Sequence, residues 1–156
     1  MDLRRLRSGE WLAAVSGVAL LVSLFLPWYS PALSGWESLA AIDVLLALVA
    51  TSGVLLAIVT AGQGVPAVPI ALSALVTFVG LFGIVLVLFR VIDLPDGAGG
   101  RDWALWLGLA GTFGIVAGAM RAMGDERLSP AGSHTDLTGR PAPPPAELEP
   151  IPPPRP

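Results

Sequence analysis

Four apolar stretches, about residues 11 to 29, 39 to 61, 67 to 89 and 103 to 120, dominate the chain, and each is long enough as a helix to cross ~30 Å of hydrocarbon. They point to an all-α integral membrane protein, a four-helix bundle. The transmembrane domain covers residues 1–123, with helices at about 11–29, 35–61, 66–92 and 102–122. A disordered, Pro-rich tail follows from 124 to 156. Every connection between the expected spans is shorter than ~15 residues, which leaves no room for a folded extramembrane domain.

Composition supports this independently. Hydrophobic residues make up 54% and charged residues 13% of the chain, with mean hydropathy +0.73. Soluble domains carry about 25% charge. The net charge is −3 and all nine basic residues are Arg, with no basic stripe of the kind that phosphate neutralisation requires, so nucleic acid is excluded as a partner. Lys and Asn are absent beside abundant Ala, Gly, Arg and Pro, the usage of a GC-rich bacterial genome. Without Cys there are no disulfides, thiolate metal sites or cysteine nucleophiles.

Arg4, Arg5 and Arg7 ahead of an apolar run imitate a secretory signal. The run is too long for a typical signal core, no small-x-small site follows it, and three further spans come after, so it is expected to stay as the first helix. Orientation follows from the flanking arginines. Arg4, Arg5, Arg7, Arg121 and Arg127 sit near the termini, against Arg90 and Arg101 near the opposite face, which places both termini in the cytoplasm of a multi-pass plasma-membrane protein. Trp28, Tyr29, Trp36, Trp103 and Trp106 then fall near the outer boundary, where amphipathic rings prefer to sit.

Helix ends carry recognisable chemistry. Ser34 and Glu37 have capping-box spacing, Pro66 and Pro69 suit a helix start, Asp102 is placed to cap the last helix, and Pro27 is expected to end the first. The segment Leu94 to Gly100 reads as a flexible loop. In lipid, close approach at small residues drives helix packing. The last helix offers Ala110, Gly114, Gly118 and Ala122 on one stripe, the second Gly53, Ala57 and Ala61, the first Ala13 and Gly17, all read as internal packing surfaces. The third helix, with large apolar residues through Leu81 to Phe89, is expected to face lipid most broadly.

Asp43 and Arg90 are the candidate intramembrane charge pair. Both fall at similar depth near the outer boundary, and a carboxylate there requires a partner or a water path. Glu37 and Asp93 are competing partners for that pair. The outer face, with Trp28, Trp36, Glu37, Trp103 and Trp106, is the candidate contact surface. In the tail, Pro150, Pro153 and Arg155 match a P-x-x-P-x-R spacing that aromatic-lined grooves read. No catalytic constellation, metal-ligand cluster or cofactor fingerprint is present, and the only histidine, His134, stands in the tail.

The run Phe25-Leu26-Pro27-Trp28-Tyr29-Ser30, the Gly35-Trp36 pair and Ile42-Asp43-Val44-Leu45-Leu46 resemble small, uncharacterised four-span bacterial membrane proteins. The resemblance covers about residues 1 to 123. It implies the four-span fold and carries over neither an activity nor a catalytic residue. Small multidrug exporters are similar in size alone, because their mechanism depends on a carboxylate within the first span and the apolar run from Trp11 to Tyr29 contains no acid. The expected role is that of a non-enzymatic accessory, scaffold or assembly component of the cell envelope, in contact with membrane lipid and with a membrane-protein partner or copies of itself. The alternative is a small oligomeric transporter or channel using Asp43 as a titrating site.

Overall fold

The structure, a computed structural model, describes residues 6–38, 41–62 and 67–127. Five helices account for most of it: α1 (Ser8–Leu24), α2 (Gly35–Ser38), α3 (Ala41–Gly62), α4 (Ala67–Ile92) and α5 (Trp103–Arg127). Three two- to four-residue strands, β1 (Pro27–Ser30), β2 (Leu33–Ser34) and β3 (Gly100–Arg101), form a small antiparallel sheet in the order β2-β1-β3. The long helices form a closed circuit: α1 lies against α3 and α5, and α4 against the same two.

By length and composition α3, α4 and α5 are sufficient to cross a membrane, whereas α1, with 17 residues, is shorter. At 1.5 Å per residue α1 is ~25 Å long. The first expected helix, 11–29, therefore needs correction at both ends. It starts earlier, with Glu10 accepting the Arg7 N–H (3.0 Å) in the manner of an N3 capping residue. It also stops five residues sooner. Phe25 and Leu26 close the last turn with tight bonds to the Val22 and Ser23 carbonyls, and Pro27, which has no N–H to continue the ladder, opens β1.

Of the second expected helix, 35–61, the described residues form α2 and α3, and 39–40 lie outside the described residues. Ser34 and Glu37 do form the capping box, Ser34 N–H to Glu37 Oε2 at 3.3 Å and Glu37 N–H to Ser34 Oγ at 3.2 Å, but it starts the one-turn α2. Helix α4 begins one residue from the expected position and holds Pro69 in its first turn. Helix α5 begins where Asp102 Oδ1 accepts the Trp103 N–H (2.8 Å), and it runs through Arg127, past the expected boundary at 122. The rest of the tail, with Pro150, Pro153, Arg155 and His134, lies outside the described residues, as does the segment 63–66.

Small residues bring the backbones together. A Cβ added at Gly17 would stand 2.5 Å from the Ala50 carbonyl oxygen, one at Gly53 2.7 Å from that of Ala13, and one at Gly118 2.5 Å from the Ala13 nitrogen. The stripes on α1 and α3 thus serve contact within the molecule. On α5 the stripe is shifted: Gly114, Gly118 and Ala122 face α1, but Ala110 is exposed and Gly111 packs on Leu20 in its place. The bulky apolar side chains point the other way. Val15, Val22, Leu48, Leu55, Phe78, Phe82, Val85, Phe89 and Phe113 are all exposed on the outside of the helices, most densely along α4.

Two core clusters fill the inside. One, around Leu20, Val49, Leu56, Val76 and Ile115, lies between the helices. The other joins Leu24, Leu46, Val87, Ala104 and Leu105 to Trp28 and Tyr29 at the end the sheet covers. At the opposite end Arg121 Nε donates to Ser8 Oγ (2.8 Å), which holds the start of α1 beside the end of α5.

Candidate functional site at the sheet-covered end

Leaving α1 at Leu24, the chain turns across the end of the helices as a strap, Pro27–Ser38, made of β1, β2 and α2. Trp28 and Tyr29 point inward and are fully buried. The Trp28 indole donates to the Ser23 carbonyl (2.6 Å), and its ring packs on Gly108, where an added Cβ would stand 2.6 Å from it, and closely on Gly35. The turn between β1 and β2 contains a cis Ser30–Pro31 bond, is closed by Ala32 N–H to the Tyr29 carbonyl (3.0 Å), and holds Ala32 at φ 83°. The other edge of β1 pairs with β3, Tyr29 opposite Arg101 and Ser30 opposite Gly100. The expected flexible loop before Gly100 therefore ends in a strand, and Gly99 N–H reaches the Ser30 carbonyl (2.9 Å).

Arg90 is the hub of this end. It lies in the last turn of α4, buried to 8% exposure. Its carbonyl accepts the Tyr29 hydroxyl (2.9 Å), its Nη2 donates to the Ser38 carbonyl that ends α2 (3.0 Å), and its Nη1 stands 3.4 Å from Asp93 Oδ2. Its Nε is buried and has no hydrogen-bond partner among the described residues. A cation here also faces the negative end of the α4 dipole. Arg101 behaves similarly, its Nε donating to the Val91 carbonyl. Both arginines are thus used to satisfy carbonyls that helix ends leave open.

The expected pair between Asp43 and Arg90 is not made. Asp43 is buried, 5% exposed, in the first turn of α3, and its Oδ1 accepts the Val44 N–H (2.6 Å). Each charge has another complement: the carboxylate the positive end of its own helix, the guanidinium the Ser38 carbonyl and Asp93 one turn away. The structure brings Arg90 together with the expected competitor Asp93 and leaves Glu37 to its capping box.

The outer-face surface also needs correction. Trp28 is core and unavailable to a partner, while Trp36, Trp103 and Trp106 are exposed at 42%, 57% and 53%, and Glu37 is exposed. Trp36 stacks on Phe25, ring centroids 5.4 Å apart and 19° between planes, which fixes its orientation on the surface. With both arginines turned to carbonyls, the carboxylates of Glu37, Asp93 and Asp96 give this end an acidic, aromatic rim.

Tyr29, expected from sequence as an interface aromatic, is instead a buried hydrogen-bond donor. Burial raises its phenol above the usual 10.0 by disfavouring the phenolate, while Arg90 and Arg101 pull the other way. The hydroxyl therefore stays protonated and free to donate to the Arg90 carbonyl. A sequence signal existed in part, since Pro27 before two aromatics and the Gly99-Gly100 pair both mark chain reversal; their pairing across 70 residues was not legible. Among the described residues no group of three His, Cys, Asp or Glu is placed to hold a metal ion. Compared with protein-family models, curated proteins and solved structures, the chain matches none.

Proposed function

We propose that this protein is an integral membrane four-helix bundle with both termini in the cytoplasm, serving as a passive accessory or scaffold component of the bacterial cell envelope. The observation that carries this reading is the inversion of the helices: bulky apolar side chains such as Phe78, Phe82 and Val85 stand outside, and Gly17, Gly53 and Gly118 inside at backbone contact. Lipid is the solvent that such an exterior suits, and small-residue contact is the way helices associate in it. On this reading α1 completes its crossing through the strap, so that β1 and the exposed Trp36, Trp103 and Trp106 lie at the outer interface. The interior held by backbone contacts favours a rigid body over a conduit, and the acidic, aromatic rim is the surface a membrane-protein partner or another copy would meet. Purification from membranes after crosslinking tests it: a stoichiometric partner lost when Trp36, Trp103 and Trp106 are changed to Ala supports the scaffold role, and capture that is indifferent to them refutes that surface.

A second reading, a small oligomeric transporter or channel, is favoured by one observation, the burial of Asp43 in the first turn of α3. Proton or cation flux into liposomes that disappears in Asp43→Asn would move the function to that class. Equal, background flux in both proteins would remove it.

A further inference from the structure

We infer that the strap Pro27–Ser38 is a lid, closed in this structure and able to open without unfolding of the helices. Two features make the closed position costly, and both are confined to the strap and its anchor. Ala32, at the tip of the β1–β2 turn, holds φ 83°, a backbone region that L side chains with a Cβ avoid. The Arg90 Nε is buried without an acceptor among the described residues, although the same guanidinium supplies the strap's bond at Ser38. Lifting the strap lets the guanidinium meet water, and it frees the turn from the β3 pairing and the buried Tyr29 that constrain its β1 side.

Against this stand the burial of Trp28 and Tyr29 and a short set of hydrogen bonds. Tyr29 hydroxyl to Arg90 carbonyl and Arg90 Nη2 to Ser38 carbonyl tie the strap to α4, the Trp28 indole to Ser23 carbonyl ties it to α1, and the pairing with β3, Gly99 N–H to the Ser30 carbonyl and Asp102 N–H to the Trp28 carbonyl tie it to the segment that leads into α5. Beneath lie Leu46, Val87, Ala104 and Leu105, fully buried by Trp28 and Tyr29. Opening therefore uncovers the end of the helix circuit, one turn from Asp43 on α3. The motion stands apart from the transporter reading: it is a property of the strap whether or not anything passes beneath it.

The absence of Cys makes the test direct. Ala104→Cys puts a thiol under the strap, and Ala119→Cys puts one at an equally buried site on the same helix in the other core cluster. Both proteins, in detergent micelles, are treated with a membrane-impermeant maleimide. Labelling at 104 is expected to outpace labelling at 119, and to quicken roughly threefold to tenfold in a Tyr29→Phe background, the effect of one lost hydrogen bond, with no change at 119. Ala32→Gly, which removes the cost at the turn without touching a contact, should slow it. Equal rates at 104 and 119, or a Tyr29→Phe effect that raises both together, would overturn the lid. If Tyr29→Phe does not fold, a rate at 104 that Ala32→Gly leaves unchanged would do the same. Flux measured on the same proteins separates the outcomes: a mobile strap without flux keeps the lid and removes the transporter, and flux beneath a static strap does the reverse.

Discussion

Replacing Gly118 with Ala adds one methyl group at the tightest seam in the molecule, and its cost follows from what the methyl meets. The new Cβ would lie 2.5 Å from the Ala13 nitrogen, 2.7 Å from the Gly9 carbonyl oxygen and 2.9 Å from the Ala13 Cα. All three atoms are backbone, so no rotamer change relieves the clash. Ordinary contact begins at 3.4 Å, so α1 and α5 must separate by roughly an ångström at this level, and the neighbouring contacts at Gly9 and Gly114 loosen with them. Overpacking of this kind costs about 1–3 kcal/mol, against which Ala in place of Gly gains up to ~1 kcal/mol of helix propensity. A net loss of about 1–2 kcal/mol is expected. Gly124→Ala is the internal control, on the same helix with nothing within 4 Å of the added atom, and should be neutral or stabilising by up to ~1 kcal/mol. Reversible unfolding in mixed micelles of a mild detergent and dodecyl sulfate, followed by tryptophan fluorescence, measures both. A Gly118→Ala protein as stable as Gly124→Ala would refute backbone contact between α1 and α5.

Four further outcomes are expected. Tyr29 is the sole tyrosine and the chain has no Lys or Cys, so ultraviolet titration reports one side chain; its midpoint should lie above 10.0. Because the folded phenol is raised, stability is fully present below pH ~10, falls as pH climbs above that, and loses this dependence in Tyr29→Phe, checked by unfolding at stepped pH. Asp43→Asn and Arg90→Gln should destabilise additively, within about 0.5 kcal/mol in a double-mutant cycle, since the two side chains bind different groups. Arg90→Gln with Asp93→Asn should couple weakly, by no more than ~1 kcal/mol, because the Asp93 side chain is 56% exposed. Glu10→Ala removes the carboxylate that accepts the Arg7 N–H and should lower the same unfolding midpoint by about 1 kcal/mol.

Helix α4 was legible nearly to the residue because its ends are written locally: Pro69 suits a first turn, and the apolar run up to Phe89 is bounded by Arg90 and Asp93. The end of α1 was not. Phe25, Leu26, Trp28 and Tyr29 are as apolar as the helix before them, and hydropathy does not separate a lipid-facing turn from a buried strand. The outcome depends on β3, more than 70 residues away, whose backbone supplies the missing bonds. At the candidate site the positions of Asp43 near the start of α3 and Arg90 near the end of α4 could be read from spacing, but their partners could not. Those are set by side-chain direction and by the position of α2, whose last carbonyl, that of Ser38, lies within reach of the guanidinium.

What the sequence determined by itself, then, was local and compositional: long apolar helices, small residues spaced to bring backbones together, a capping box at Ser34 and Glu37, and charges confined to the ends. The tertiary structure decided which of those features meet. Trp28 became core because Gly35 and Gly108 leave a slot for its ring, and Arg90 turned to the Ser38 carbonyl and the Asp93 carboxylate instead of Asp43. Spacing along a chain sets which face a residue occupies, but the approach of distant backbone sets what that face touches.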